Sequence, residues 1–358
     1  MKIALYTPYL DSLGGGEKYL LDIGLALHSL GYEVHLLTTN QTIKEKIVAK
    51  FGPQYAFIKL FPNWTASNFL TKLKLSRSFH AFFYQPDGSY FFSLAPKNFA
   101  LLQVPTKALL PQSFSQKLKF SNWTPIFNSQ FTKKFFVKLN AAFTNSKVLY
   151  PTVDQSFLSE KITNKEKIIL NVGRFFNHLH AKKQEVLIAA FIEATKKNHE
   201  FANYQLVLCG SCQKEDQKYL DTLRALIKEQ NNIRLFVNPD KQTLLSMYKK
   251  AVIYWHSAGY NENLSINPQN AEHFGISVLE AMSMGCIPIV HNSGGPTEIV
   301  QNTVSGFTYS TKEELINLTK KVINNKEQQQ ELALAAQKQA QDRFGFEIFT
   351  EAVANLLK

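Results

Sequence analysis

The sequence predicts an α/β protein made of two doubly wound, parallel-sheet domains, and three observations carry that prediction. Short apolar runs of buried-strand type alternate with segments of helical apolar spacing. The alternation begins at Lys2 and begins afresh at Lys167, so the pattern occurs twice. The chain has 358 residues, enough for two domains of ordinary size.

In the first half, Lys2–Tyr6 reads as a strand and Leu13-Gly14-Gly15-Gly16 as a glycine loop. The apolar run Tyr19–Leu27 reads as a helix ending at Gly31, and Glu33–Thr38 as the next strand, which completes a βαβ unit. Ligands of such units sit at the carboxyl ends of the strands, although this loop is not G-x-G-x-x-G and by itself marks only a tight turn. A basic helix carries Lys44, Lys46 and Lys50, and an aromatic loop surrounds Phe61-Pro62-Asn63-Trp64. Ala81–Tyr84 is a strand running into the turn Gln85–Ser89, and Ala100–Pro105 repeats the pattern. Asp87 at that strand end is either an acceptor-side residue or ordinary turn chemistry. Residues 114–138 mix lysines with seven aromatics. They form a face on anionic lipid, a basic–aromatic nucleic-acid surface, or core aromatics with solvated lysines.

In the second half, Lys167–Arg174 is a strand with Gly173 and Arg174 at its carboxyl end, followed by Lys182-Lys183 and an apolar helix around Val186–Phe191. A guanidinium and an ammonium one strand end apart can neutralise a diphosphate. Gln205–Ser211 is a strand with Gly210 at its tip. Cys209 and Cys212 form a lone C-x-x-C, short of the ligands a zinc site needs, and no metal site is expected. Strands at Asn232–Val237 and Ala251–His256 lead to residues 257–271, which are either a lid or inert.

The stretch Glu272–Glu298 dominates the second half. Glu272-His273-Phe274-Gly275 reads as a turn, Ile276 to Met282 as a helix closed by Gly285, and Cys286–Val290 as a buried strand. Asn292–Pro296 turns the chain, and Thr297 is expected to cap a helix carrying Glu298. Glu272 and Glu280 have seven residues between them, a spacing that sets both carboxylates on one helix face, one at the mouth and one near the middle. Glycines and a helix N-terminus suit phosphate, and a carboxylate in the pocket suits a ribose diol.

Composition narrows the classes. Hydrophobic residues make up 45% and charged ones 19%, as in a globular protein. No apolar run approaches the ~20 residues of a membrane span. The N-terminus lacks signal-peptide organisation, and three cysteines give no disulfide framework. A reducing cytosol is therefore expected, with the sequons Asn63-Trp64-Thr65 and Asn122-Trp123-Thr124 unused. The net charge is +12, and residues 1–160 hold 17 Lys/Arg against 8 Asp/Glu while the remainder holds 23 against 20. A basic first half suits nucleic acid, an anionic membrane surface or a diphosphate, and also serves solubility.

Glu272, Phe274-Gly275, Glu280-Ala281-Met282, Gly285, Pro288, Gly294-Gly295 and Glu298 together resemble the E-x7-E signature of the retaining GT-B glycosyltransferases of glycosyltransferase family 4. His273-Phe274-Gly275-Ile276 and His291–Pro296 are similar to the α-1,2-mannosyltransferases that extend lipid-linked oligosaccharide. The resemblance implies two Rossmann-like domains facing a central cleft. It sets the acceptor domain at 1–158, a hinge near 154–166 and the nucleotide-sugar domain at 159–343, with a helix over 344–358 crossing back to the first domain. By this resemblance Arg174 and Lys182 are the phosphate-binding pair, though Lys183 stands where relatives have glycine. Glu272 positions the donor sugar and Glu280 binds ribose. Gly15, Gly16, Gly173, Gly210, His273, Phe274, Gly275, Ile276, Gly294 and Gly295 line the donor.

The expected function is transfer of a hexose, mannose among the candidates, from a GDP- or UDP-sugar to a glycan or lipid-linked acceptor. No D-x-D stands at a strand end, so Arg174, Lys182 and amides offset the leaving diphosphate, and no cofactor beyond the co-substrate is expected. The expected location is cytoplasmic, with a peripheral contact on the inner face of the membrane. A sugar-nucleotide epimerase or phosphorylase on the same fold is the enzymatic alternative. A basic nucleic-acid-binding protein is the non-enzymatic one, but no recognised nucleic-acid motif occurs.

Overall fold

The computed structural model describes residues 1–62, 64, 67–158, 162, 165–178 and 181–358. Part of the expected 154–166 hinge, and Asn63 and Thr65 of the first sequon, lie outside the described residues. The chain divides into two compact units. Unit 1 is Met1–Thr152 with Phe346–Lys358, and unit 2 is Val153–Gly345. The sequence reading set its boundary at 158/159 instead.

Unit 1 contains, in order, β1 (Lys2–Tyr6), α1 (Gly15–Ser29), β2 (Glu33–Leu36), α2 (Ile43–Phe51), β3 (Lys59–Leu60), α3 (Phe69–Ser76), β4 (Ala81–Tyr84) and β5 (Lys97–Leu102). It continues through α4 (Phe114–Phe120), β6 (Thr124–Phe127), α5 (Gln130–Leu139) and β7 (Lys147–Val148). Its sheet is parallel throughout, in the order β3-β2-β1-β4-β5-β6-β7. Central strands covered on both faces carry no alternation, and β4 is buried at all four positions.

Unit 2 contains α6 (Gln155–Leu158), β8 (Glu166–Val172), α7 (Gln184–Lys197), β9 (Gln205–Gly210), α8 (Gln217–Leu226), β10 (Ile233–Val237), α9 (Lys241–Lys250) and β11 (Ala251–His256). Then come α10 (Ile276–Ser283), β12 (Ile287–His291), α11 (Pro296–Ile299), β13 (Phe307–Tyr309), α12 (Lys312–Asn324) and α13 (Lys326–Phe344). The six strands are parallel in the order β10-β9-β8-β11-β12-β13. A final helix, α14 (Phe346–Leu356), belongs to unit 1, where Phe349, Val353 and Leu356 join the core beside Tyr19 and Leu20 of α1. Both units are thus Rossmann-like doubly wound sheets, the fold class the sequence predicts.

Several local expectations are corrected. Gly15 and Gly16 are not loop residues but the first turn of α1, with Gly14 as its N-cap. Glu17 turns back on that end, accepting hydrogen bonds from Gly14 N–H at 2.7 Å and Ser12 Oγ at 2.7 Å. Thr297 does not cap α11: Gly295 does, Pro296 takes the first helical position that its fixed φ favours, and Thr297 donates to Gly294 O at 2.8 Å. The tail is broken at Gly345 rather than continuous from Phe344. Of the aromatics in 114–138, Trp123, Phe127 and Phe136 are core residues, and Phe114 is 82% exposed. A single lipid-facing surface over that whole stretch is therefore ruled out.

Candidate active site

The site forms at the carboxyl edge of the unit 2 sheet, where β8, β9, β11 and β12 end in Gly173-Arg174, Gly210, His256 and His291. Parallel doubly wound sheets present their ligand-binding loops at that edge. Glu272 is not on α10, because the helix starts at Ile276 behind Gly275, whose φ is +108°. The eight-residue spacing is therefore not two turns of one helix. Glu272 lies on the approach loop and Glu280 in the second turn of α10.

The loop holding Glu272 is fixed by close backbone packing. Gly295 N–H donates to Glu272 O at 2.8 Å. A Cβ on Gly294 would stand 2.2 Å from Glu272 O, and one on Gly295 would stand 2.3 Å from Phe274 Cα. The glycine pair thus acts through this packing, and Phe274 is buried beside Phe344, with ring centroids 5.8 Å apart. His273 is buried with Nε2 3.1 Å from Gln269 O, and burial depresses its pKa to about 4, so it is neutral at pH 7. Ile276 opens α10.

The carboxylate of Glu272 forms an ion pair with Lys182, and both side chains are 13% exposed. His256 Nε2 lies 3.4 Å from the same oxygen. Burial alone would raise the Glu272 pKa, but the Lys182 charge and the hydrogen bonds from His256 and Lys182 outweigh it and hold the carboxyl well below its ordinary value. His256 is fully buried and burial lowers its pKa, so neutral imidazole stands behind the pair. The Lys182 stem reaches Glu272 by crossing Gly173, where a Cβ would sit 2.5 Å from Lys182 Cγ. Gly210 lets β9 close on the same turn, since its Cβ would meet Gly173 O at 1.9 Å. Lys183 is turned away in the left-handed region at φ +54° and pairs with Glu262 at 2.5 Å.

Arg174 is half exposed. It reaches Gln213 Oε1 at 3.2 Å and the buried Asp216 carboxylate at 3.8 Å, and it stacks on Phe176 at 4.7 Å. Glu280 is half-buried and accepts from Tyr248 Oη at 2.9 Å, so it is not a solvated surface group. Tyr248 is fully buried, and burial together with Glu280 raises its pKa well above the ordinary value, so its hydroxyl stays a donor. Within residues 257–271, Asn270 Nδ2 donates to Glu262 Oε2 at 2.7 Å, and Tyr260 packs on His291 at 5.5 Å. His256, Tyr248 and Asp216 were missed in the sequence. His256 had the signal of a titratable residue closing an apolar strand.

In unit 1, Asp87 is exposed after β4 and accepts from Ser89 N–H at 3.0 Å, from Ser89 Oγ at 2.6 Å and from Tyr84 Oη at 3.3 Å. Burial opposes, and these hydrogen bonds then outweigh it, so its pKa lies below the ordinary value. Gly16 lies against Gln103, whose Nε2 donates to Gly16 O at 3.3 Å. Among the described residues no cluster of three His, Cys, Asp or Glu is arranged to hold a metal, and Cys209, Cys212 and Cys286 are free thiols.

Two parallel Rossmann-like sheets with a glutamate pair at one carboxyl edge define a class, and comparison with known sequences names it. Residues 153–339 match the family model of glycosyl transferases group 1, and the chain belongs to that family. An alpha-1,3/1,6-mannosyltransferase, ALG2, of Yarrowia lipolytica is 31% identical over 224 residues, 53% of this chain and 46% of that protein. A GDP-Man:Man(3)GlcNAc(2)-PP-Dol alpha-1,2-mannosyltransferase of Dictyostelium discoideum is 28% identical over 222 residues, 59% of this chain and 42% of that protein. The chain thus spans less than half the length of these two relatives. The crystal structure of Anabaena HepE in complex with UDP and glucose superposes with a TM-score of 0.70 at 18% identity, covering 99% of this chain and 98% of that one, which is a likeness of fold.

Proposed function

We propose that this chain is a retaining glycosyltransferase that moves a hexose, mannose on present resemblance, from a nucleotide-diphosphate sugar to a lipid-linked glycan. One observation carries the reading: an ionised, buried Glu272 is held by Lys182 at the carboxyl edge of the sheet, just ahead of the helix that carries Glu280. An ammonium has three N–H donors, so Lys182 can hold Glu272 with one and meet phosphate oxygens with the others. Arg174 adds a planar, partly exposed guanidinium braced by Asp216 and Phe176. Together they offset charge developing on the leaving diphosphate.

Glu280, oriented by Tyr248, binds the ribose hydroxyls, and Glu272 positions the donor sugar. Asp87 serves the acceptor side. Mannose and the lipid-linked acceptor are supported by the two relatives, whose names specify mannosyl transfer and, for the second, a dolichol-linked glycan. A lipid-linked acceptor also implies peripheral work at a membrane surface. The test is a thermal-shift screen against GDP-, UDP- and ADP-sugars, since a ligand that binds the native state raises its melting temperature. A shift with one nucleotide series supports the reading. No shift with any of them overturns it.

A further inference from the structure

We propose that one face of unit 1, made by α3, the segment at Leu94 and α4, docks on an anionic lipid bilayer. The inference deepens the lipid-linked acceptor reading and rests on it only for the expectation that a membrane is the partner; the surface argument stands on its own geometry. Phe114 and Leu118, one helical turn apart on α4, are 82% and 53% exposed, and α4 buries none of its residues. Phe69 and Leu70 on α3 are 53% and 66% exposed, and Leu94 is 49% exposed. Single exposed apolar residues are ordinary, but five in one neighbourhood are not.

Three hydrogen bonds make it one neighbourhood. Leu94 N–H donates to Ser76 Oγ of α3 at 2.8 Å. Tyr90 N–H donates to Gln116 Oε1 of α4 at 2.8 Å, and Ser93 N–H donates to Asn122 Oδ1 just beyond α4 at 2.9 Å. The 90–94 segment therefore lies between the two helices. Each helix carries the sequence Lys-Leu-Lys, at 72–74 and 117–119. From residue 46 to residue 153 there are 14 Lys/Arg and a single carboxylate, Asp87.

Charge and shape choose the occupant. Apolar side chains interleaved with lysines on short helices suit a bilayer interface, where rings enter at headgroup depth and ammoniums meet anionic headgroups. Nucleic acid would be met by aromatic stacking, and Leu70, Leu94 and Leu118 have no ring to stack. Two copies of this face would set lysines against lysines. The face also borders the expected acceptor edge: the Tyr90 ring that follows Asp87 lies 6.4 Å from the Tyr84 ring at the end of β4.

The experiment is sedimentation of the full chain with phosphatidylcholine vesicles, with and without phosphatidylglycerol, at low and high salt and without nucleotide sugar. The wild type should bind the anionic vesicles and release in salt. F114S/L118S and F69S/L70S should each lose most binding. K74Q/K117Q should lower the partition coefficient roughly 30-fold, the equivalent of ~2 kcal/mol for two lysines near a charged surface. All three variants replace exposed side chains, so their melting temperatures should match the wild type. They should also keep its nucleotide-sugar thermal shift, which separates failure of this face from failure of the transferase reading. Equal binding to neutral vesicles, undiminished binding by both apolar variants, a dimer abolished by the same changes, or RNA displacing the vesicles would each overturn the proposal.

Discussion

Replacing Glu272 by Gln removes one partner of a buried ion pair and leaves Lys182 with its charge at 13% exposure. Breaking such a pair costs about 3–5 kcal/mol, and the low end, about 3, applies here because the Gln carbonyl still accepts from Lys182. In a unit of roughly 150–250 residues each kcal/mol is worth about 2–4 °C, so calorimetry of the full chain should show the unit 2 transition fall by about 6–12 °C. The double variant K182M/E272Q leaves no unpaired charge and should recover most of that loss. The pair also has a pH signature. The Glu272 pKa is lowered on folding, so unfolded chains bind more protons and stability rises with pH. Its contribution is complete above the unfolded carboxylate pKa of about 4.3 and fades as pH falls toward the folded value. E272Q should lack that part of the acid slope. A melting temperature within 2 °C of wild type (roughly the resolution of one surface substitution) and an unchanged acid slope would refute the claim that the pair is buried and coupled.

Arg174→Ala should weaken nucleoside-diphosphate binding by roughly 10–100-fold, the worth of one charge-assisted hydrogen bond. Because Arg174 is half exposed, the melting temperature should barely move; the reverse pattern in titration and melting would remove it from the site. Gly295→Ala, with its Cβ 2.3 Å from Phe274 Cα, should cost about 1–3 kcal/mol and weaken donor binding, and urea unfolding with a matched titration measures both. His273 has a folded pKa lowered to about 4 from an unfolded value near 6.5. Its stabilisation is present above 6.5 and lost as pH falls to 4, about 3 kcal/mol in all. H273Q should flatten unfolding free energy over that window, and an unchanged profile would contradict the burial assigned to it.

What the sequence made legible follows from how parallel sheets encode themselves. β1 and β4, buried central strands, appear as apolar runs with the same bounds in sequence and structure. β3 and β7, two residues each, leave no pattern to read, and β6 hides inside a lysine–aromatic stretch with Pro125 in the strand. The glutamate pair was visible as a motif but not as geometry. Helical periodicity cannot tell that Gly275 adopts φ +108° and that α10 starts only at Ile276, four residues after Glu272. The Lys182–Glu272 contact joins positions 90 apart, and His256 enters it from a third strand end, so neither the pairing nor its charge state lies in any local window. Aromatic fate in 114–138 was equally nonlocal: Trp123 is buried because Phe82, Tyr84 and Phe91 surround it.

The central claim is a division of labour at the sheet edge, with Glu280 on the nucleoside and Glu272 on the sugar. It is tested most directly by measuring nucleoside-diphosphate affinity and single-turnover sugar transfer for E280Q and E272Q, both at a temperature where each is folded. Glu280→Gln should lose affinity by roughly 10–100-fold, as expected for a hydrogen bond to a charged group worth ~1.5–3 kcal/mol. Glu272→Gln should hold nucleoside diphosphate nearly as tightly as the wild type while its transfer rate falls far more. Parallel loss of affinity and rate in both variants, or no loss in either, would contradict the account.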